Sequence, residues 1–227
     1  IDLANGDVQT IDPDLQFFIG QDVIHGVTAV SGSNENDRIL GGAASETLIG
    51  GLGFDVIAGG AGDDSIFGDT SDGEDTSGSS DFIEGGAGDD TIDGGRGFDQ
   101  LYGGEGDDTL LGGADDDALS GGPGDDILNG DGEDATPSQQ DIADYSDAAA
   151  GIVVNLALGV ATNDGDGGQD TLIGIERLRG SAFDDVLIGD DGVNQFIGGG
   201  GNDVLDGGGG VDTVDYSGTT AGVVAVP

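Results

Sequence analysis

The sequence predicts an all-β solenoid in which very short parallel strands are stacked in series and joined by tight glycine turns. Three observations carry this expectation. Over residues 85–129 one nine-residue phrase is repeated five times without a gap, opening at Gly85, Gly94, Gly103, Gly112 and Gly121. Each copy holds an aliphatic side chain at its eighth place (Ile92, Leu101, Leu110, Leu119, Leu128), as in Thr91-Ile92-Asp93, where polar, apolar, polar is the alternation of a strand with one inward residue. Lastly, 50 glycines and 5% aromatic residues in a chain of 227 are too little bulk for a thick core, but suffice for a thin one built from a ladder of eighth-place residues.

Within one phrase, Gly85-Gly86-Ala87-Gly88-Asp89-Asp90 is the turn. Glycine tolerates positive φ, so several in six residues let the chain curl until backbone carbonyls approach a common point. An aspartate closes every copy at the sixth place (Asp90, Asp99, Asp108, Asp117, Asp126) and adds a carboxylate to those carbonyls. The resulting all-oxygen, flexible environment suits calcium better than magnesium or zinc. A metal-free solenoid has no use for a carboxylate at every sixth place. One inward side chain per phrase makes no core alone, so the units are stable only in series.

This phrase resembles the nonapeptide of RTX (hemolysin-type) calcium-binding repeat proteins. The resemblance implies a right-handed parallel β-roll of GGxGxDxUx nonapeptides, in two or more blocks joined by β-rich spacers. Consecutive repeats would lie on opposite sheets, with each Ca2+ ion between the turns of repeats n and n+2. It further implies export by a bacterial type I system and a location outside the cell or on its surface. The residues expected to hold metal are the sixth-place acids Asp37, Asp55, Asp64, Asp81, Asp90, Asp99, Asp108, Asp117, Asp126, Asp185, Asp203 and Asp212, with the turn glycines Gly85, Gly94, Gly103, Gly112, Gly121 and Gly198. The n/n+2 arrangement pairs Asp37 with Asp55, Asp90 with Asp108, Asp108 with Asp126, and Asp185 with Asp203.

Taken in order, residues 1–31 read as a β-rich flank, the end of a module, with strands at 15–19 and 27–30 and turns near Asp12-Pro13 and Gly20. A first block, 32–143, opens with Asp37/Ile39, Glu46/Leu48, Asp55/Ile57 and Asp64/Ile66 in the sixth and eighth places; Glu46 departs from the pattern because Ala44 precedes it in place of glycine. The next pair, Asp81/Ile83, comes seventeen residues after Asp64, so eight extra residues lie within 68–80. Their acids (Asp69, Asp72, Glu74, Asp75) read as a solvated loop, with an additional cation site as the alternative. A second interruption at 130–140 separates Asp126 from Asp141. Residues 144–175 read as a spacer of strand, acidic turn and strand; the turn lacks the twelfth-place acid of an EF-hand. A second block, 176–215, carries Glu176/Leu178, Asp185/Leu187, Asn194/Phe196, Asp203/Leu205 and Asp212/Val214, and 216–227 begins another spacer. Asn194 offers only a neutral oxygen, which predicts a weaker site.

Two longer recurrences extend the pattern. Asp144-Tyr145-Ser146 returns as Asp215-Tyr216-Ser217, and Gly20-Gln21-Asp22 aligns with Gly168-Gln169-Asp170. They predict a larger modular array, with further repeat modules of the same chain or of like chains as neighbours.

Composition narrows the function classes. The chain carries 47 acidic residues against 4 basic ones, a formal charge of −43, which excludes nucleic acid and anionic membrane surfaces as partners. There is no cysteine, and no apolar run long enough for a membrane span. The one histidine, His25, has Ile173 as its counterpart in a like local pattern, so catalysis by it is not expected. No serine sits in a Gly-x-Ser-x-Gly elbow, and pairs such as Asp89-Asp90 recur with the repeat, unlike an active site. The glycine turns have no lysine to bind phosphate. The reading is therefore a non-catalytic calcium-binding region that folds on meeting calcium outside the cell. The alternatives are a structural module of an adhesin, surface layer or extracellular filament, and an accessory domain of a secreted hydrolase or epimerase whose catalytic part lies elsewhere.

Overall fold

The computed structural model describes residues 27–69, 78–131 and 140–217 throughout, together with the backbone of two earlier strands, Asp7–Asp12 and Phe17–Val23. His25, the loop acids Asp72, Glu74 and Asp75, and residues 218–227 lie outside the described residues. Those described form strands and turns, with no helix.

Two long sheets face each other. In spatial order the first holds nine strands: Arg38–Leu40, Val56–Ala61, Phe82–Ala87, Gln100–Glu105, Ala118–Ser120, Ile142–Asp144, Arg177–Arg179, Gln195–Ile197 and Thr213–Val214. The second holds eleven: Ala29–Ser31, Thr47–Ile49, Ser65–Phe67, Thr91–Arg96, Thr109–Ala114, Ile127–Asp131, Asp170–Ile173, Val160–Asn163, Val153–Asn155, Val186–Ile188 and Val204–Asp206. Through the repeats the chain alternates between them, so successive phrases lie on opposite sheets and every second phrase pairs in parallel. Leu101 pairs with Ile83 and Leu119, and Leu110 with Ile92 and Leu128. Eighth-place residues are thus aligned across each sheet. From Ile39 to Leu128 they are fully buried and form one core. One buried aliphatic side chain per phrase contributes roughly 2 kcal/mol, little against ordering nine residues of backbone. Apolar stacking alone is a weak reason for this chain to fold.

Both insertions leave the register intact. Ile57 pairs with Ile83 and Ile66 with Ile92 across the first, while Leu119 pairs with Ala143 across the second.

Two expectations need correction. The spacer is not strand, acidic turn and strand, but three strands with the acidic turn between the second and third. Asp170–Ile173 lies parallel to Ile127–Asp131, Val160–Asn163 runs antiparallel on its far side, and Val153–Asn155 returns to pair in parallel with Val186–Ile188. The first sheet meanwhile passes directly from Ile142–Asp144 to Arg177–Arg179. The second sheet is therefore two strands wider at this level, and Tyr145, Ala148, Ile152 and Ile175 fill the space beneath it. The spacer is part of the sheet pair that blocks 32–143 and 176–215 share. In the flank, the turn read at Gly20 is absent: Phe17–Val23 runs through it as a strand, antiparallel to Asp7–Asp12. The pairing shifts register beside Gly20, between the Gln9–Gln21 and Ile11–Phe18 partners, so the glycine marks an irregularity within the strand and not its end. Ala29–Ser31, at the end of the flank, is the first strand of the second sheet.

Candidate metal centres

Each sixth-place residue sits in a turn between the sheets, and the turns form two rows, one along each edge. One row runs Asp37, Asp55, Asp81, Asp99, Asp117, Asp141, Glu176, Asn194, Asp212; the other runs Glu46, Asp64, Asp90, Asp108, Asp126 and Asp170, then Asp185 and Asp203. A single hydrogen bond recurs from Asp37 to Asp141 in the first row and from Glu46 to Asp126 in the second, and again at Asn194 and Asp185. The backbone N–H of Asp37 donates to Oδ1 of Asp55 at 2.7 Å, Asp90 to Asp108 and Asp108 to Asp126 at 2.8 Å, and Asp185 to Asp203 at 3.2 Å. The four n/n+2 pairs expected from the repeat are accordingly neighbours.

The second carboxylate oxygen has a different fate. Oδ2 of Asp55, Asp64, Asp81, Asp90, Asp99, Asp108, Asp117, Asp126 and Asp141 is buried without a hydrogen-bond partner. The first glycine of the phrase shows where these oxygens point. A Cβ on Gly85 would meet Asp90 Oδ2 and the Gly103 carbonyl, one on Gly94 the Asp99 Oδ2 and the Gly112 carbonyl, and one on Gly103 the Asp108 Oδ2 and the Gly121 carbonyl. Gly112, Gly121 and Gly198 likewise face the Oδ2 of Asp117, Asp126 and Asp203. Carboxylate oxygen and next-turn carbonyl therefore converge over a residue that must lack a side chain. The turn itself depends on positive φ, as at Gly86 (119°) and Gly88 (128°); Asp115 holds the same fourth place as Gly88 at 78°.

An ionised carboxylate with an orphaned buried oxygen is costly unless a cation compensates it. Burial, partly offset by the backbone N–H bond, pushes Asp55, Asp99, Asp108, Asp126 and Asp141 up to about 7, Asp81 to about 8 and Asp117 to about 9. Neighbouring carboxylates add to the shift. The chain's 4 basic residues are too few to neutralise these rows. Among the described residues no three His, Cys, Asp or Glu side chains converge on one point. A cation here must draw on carbonyls as well as carboxylates, which matches the six to eight oxygens that calcium accepts and not the nitrogen and sulfur ligands of zinc.

Not all predicted positions are alike. Asp37 and Asp185, whose turns carry a serine in place of the second glycine, have their second oxygens occupied: Ser33 Oγ donates to Asp37 Oδ2 at 2.8 Å, and the backbone N–H of Ser181 donates to Asp185 Oδ2 at 2.8 Å. Asp203 and Asp212, near the end of the described chain, are less buried. Asn194 Oδ1 accepts the N–H of Asp190 at 2.9 Å.

The structure also adds residues to the rows. Glu46 is buried, its N–H donates to Asp64 Oδ1 at 2.7 Å, and its longer side chain still reaches back to the N–H of Gly42 at 3.2 Å. Asp141 receives the N–H of Asp117 at 2.7 Å. Its eighth-place partner is the small Ala143, which hides the phrase. Asp170 was legible in principle, since Asp170-Thr171-Leu172 has sixth-to-eighth spacing behind Gly167-Gly168. Asp69, the described acid of the first insertion, is buried and accepts the N–H of Arg96 at 2.7 Å, so it is not a solvated loop residue.

The model of the RTX calcium-binding nonapeptide repeat matches the chain at residues 30–57, 40–73, 75–101, 102–136 and 173–205. No curated protein matches it. The repeat match spans more than half of the chain and coincides with the two rows of turns, so this chain belongs to the RTX calcium-binding nonapeptide repeat family, whose repeats bind Ca2+ at multiple sites.

Proposed function

We propose that the chain is the calcium-binding β-roll region of a secreted bacterial protein, unfolded during export and folded where calcium is plentiful. The observation that carries this reading is the set of nine buried, unpartnered Oδ2 atoms along the two edges. Asp55, Asp64, Asp81, Asp90, Asp99, Asp108, Asp117, Asp126 and Asp141 would hold the ions, together with first-glycine carbonyls such as those of Gly103, Gly112 and Gly121. Asp37, Asp185, Asp203 and Asp212 would form weaker sites, and the role of the chain is metal binding and not catalysis.

Calcium, when bound, supplies the positive charge that these carboxylates lack. With no cation, a glycine-rich chain of charge −43 repels itself and has only a thin core to oppose that repulsion. Extracellular calcium modules bind with dissociation constants of about 10⁻⁴ to 10⁻³ M. Sites of that strength are empty in a cytosol and filled outside the cell, so folding follows export. Circular dichroism of the chain in EDTA should show disorder and should gain β signal on addition of millimolar calcium, with magnesium a poor substitute because it demands a rigid octahedron. A fully folded chain in EDTA would refute the reading.

A further inference from the structure

The row that contains Asp90 and Asp108 changes its chemistry at Asp170. By backbone Asp170 is an ordinary member. Its strand continues the second sheet, with Leu172 paired to Leu128. Its Oδ1 accepts the N–H of Asp126 at 3.2 Å, and the residue is 2% exposed. The other oxygen is what differs. In Asp64, Asp90, Asp108 and Asp126 of the same row Oδ2 is buried without a partner, whereas in Asp170 it accepts the phenol O–H of Tyr145 at 2.8 Å.

Tyr145 is built for this contact. It is 7% exposed, its N–H donates to the Arg179 carbonyl at 2.9 Å, and its own carbonyl accepts the N–H of Ala148 at 3.1 Å. Asp144 beside it is paired with Arg179 Nη1 at 2.7 Å, which ties the segment to the first sheet. Burial, with the charge of Asp170, pushes the phenol well above its usual value, so it keeps the proton it donates. The turn before Asp170 is rebuilt as well. Five residues before Asp170, where the phrase has its first glycine, a Cβ on Gly165 would meet the Ala150 carbonyl, Ala148 Cβ and Ile152 Cγ2 in place of the row's own carboxylate oxygen. Asp164 Oδ1 gathers the N–H groups of Asp166, Gly167 and Gly168 at 2.8–2.9 Å, which closes the turn on itself. The residues present do not fit a cation at Asp170.

We propose that Tyr145 stands where the repeat elsewhere leaves room for calcium, so that the row is interrupted at Asp170 and the spacer is fastened into the second sheet by a phenol–carboxylate hydrogen bond that needs no metal. Sites of the central run and those of the last repeats are then separate series on this edge, joined by a seam that does not respond to calcium. The inference rests on the reading of Asp108 and its neighbours as calcium ligands, and the test separates the two.

Bound ions are counted by native mass spectrometry at saturating calcium in the whole chain, for the wild type and for Asp108→Asn, Asp170→Asn and Tyr145→Phe. Asp108→Asn should lose at least one ion. Asp170→Asn, which keeps an acceptor oxygen for the phenol, should lose none. Tyr145→Phe removes one hydroxyl and no carboxylate, which keeps the test readable if Asp170→Asn fails to fold. It should melt about 2–4 °C lower in saturating calcium, with at least the wild-type number of ions. Loss of an ion from Asp170→Asn, or an unchanged melting temperature for Tyr145→Phe, overturns the proposal. If Asp108→Asn also keeps every ion, the calcium assignment of the row falls, and the contrast falls with it.

Discussion

The central turns, from Asp55 to Asp126, and the last turns, from Asp185 to Asp212, share one backbone pattern and differ in how their carboxylates are satisfied. In the central run each carboxylate accepts the N–H of the preceding turn in its row at one oxygen and leaves the other buried and unpartnered. In the last run Ser181 donates to both oxygens of Asp185, Asn194 carries no charge, and Val204 and Val214 of the closing strands are exposed. The difference teaches that a nonapeptide match does not by itself define a site. Where a serine stands at the second place, the protein's own donors reach the oxygen that is left unpartnered in the central run.

The contrast can be broken or sharpened in order of expected effect. Leu110→Ala removes a fully buried side chain from the central ladder and should cost about 2–5 kcal/mol in calcium-saturated melts, whereas Leu205→Ala in the half-covered closing strand should cost clearly less. Equal losses would show that the two runs are packed alike. Next, Asp108→Ala deletes a charge-assisted hydrogen bond to Asp90 worth about 1.5–3 kcal/mol, together with the oxygen assigned to calcium. Its calcium midpoint for folding, followed by circular dichroism, should rise several-fold, and by more than that of Asp203→Ala.

Acid offers a third handle, on the metal-free chain. Burial raises Asp55, Asp99 and Asp108 from 3.8 to about 7, so the folded form holds these protons more tightly than the unfolded form. Stability from this source is present in full below about pH 4 and is lost as pH rises toward 7. Demetallated protein should therefore gain β signal on acidification from pH 7 to 4, and calcium affinity should rise over the same interval as protons leave its ligands. A metal-free chain that is less structured at pH 4 than at pH 7 would contradict the burial of these groups. The smallest effect is expected from Asn194→Asp, which restores a charge opposite Asp212; isothermal titration should show modestly tighter calcium binding in the last run.

Much of this was legible in the residues. The five unbroken phrases set the strand alternation, the eighth-place ladder and the sixth-place rows, because a period of nine permits few other arrangements once parallel pairing is required. The spacer was not legible, for a physical reason. Val160–Asn163 reverses direction and displaces Val153–Asn155 two positions along the sheet, and no local period encodes an exchange of strand order. Tyr145 and Asp170 are 25 residues apart with no repeat to join them. Glu46 failed as a pattern match at Ala44, yet its longer side chain reaches its own turn. The site residues were visible as a spacing; which of them are left wanting a cation depends on substitutions such as Ser33 and Ser181, whose hydroxyl and amide contacts exist only in the fold.

The central claim is that calcium belongs where the orphaned oxygens are. Its most direct test is the anomalous scattering map of crystals grown in calcium. Two lines of peaks should appear along the edges of the roll, strongest beside Oδ2 of Asp90, Asp99, Asp108 and Asp117, with none beside Asp170. A map in which those central turns show no peak would contradict the account.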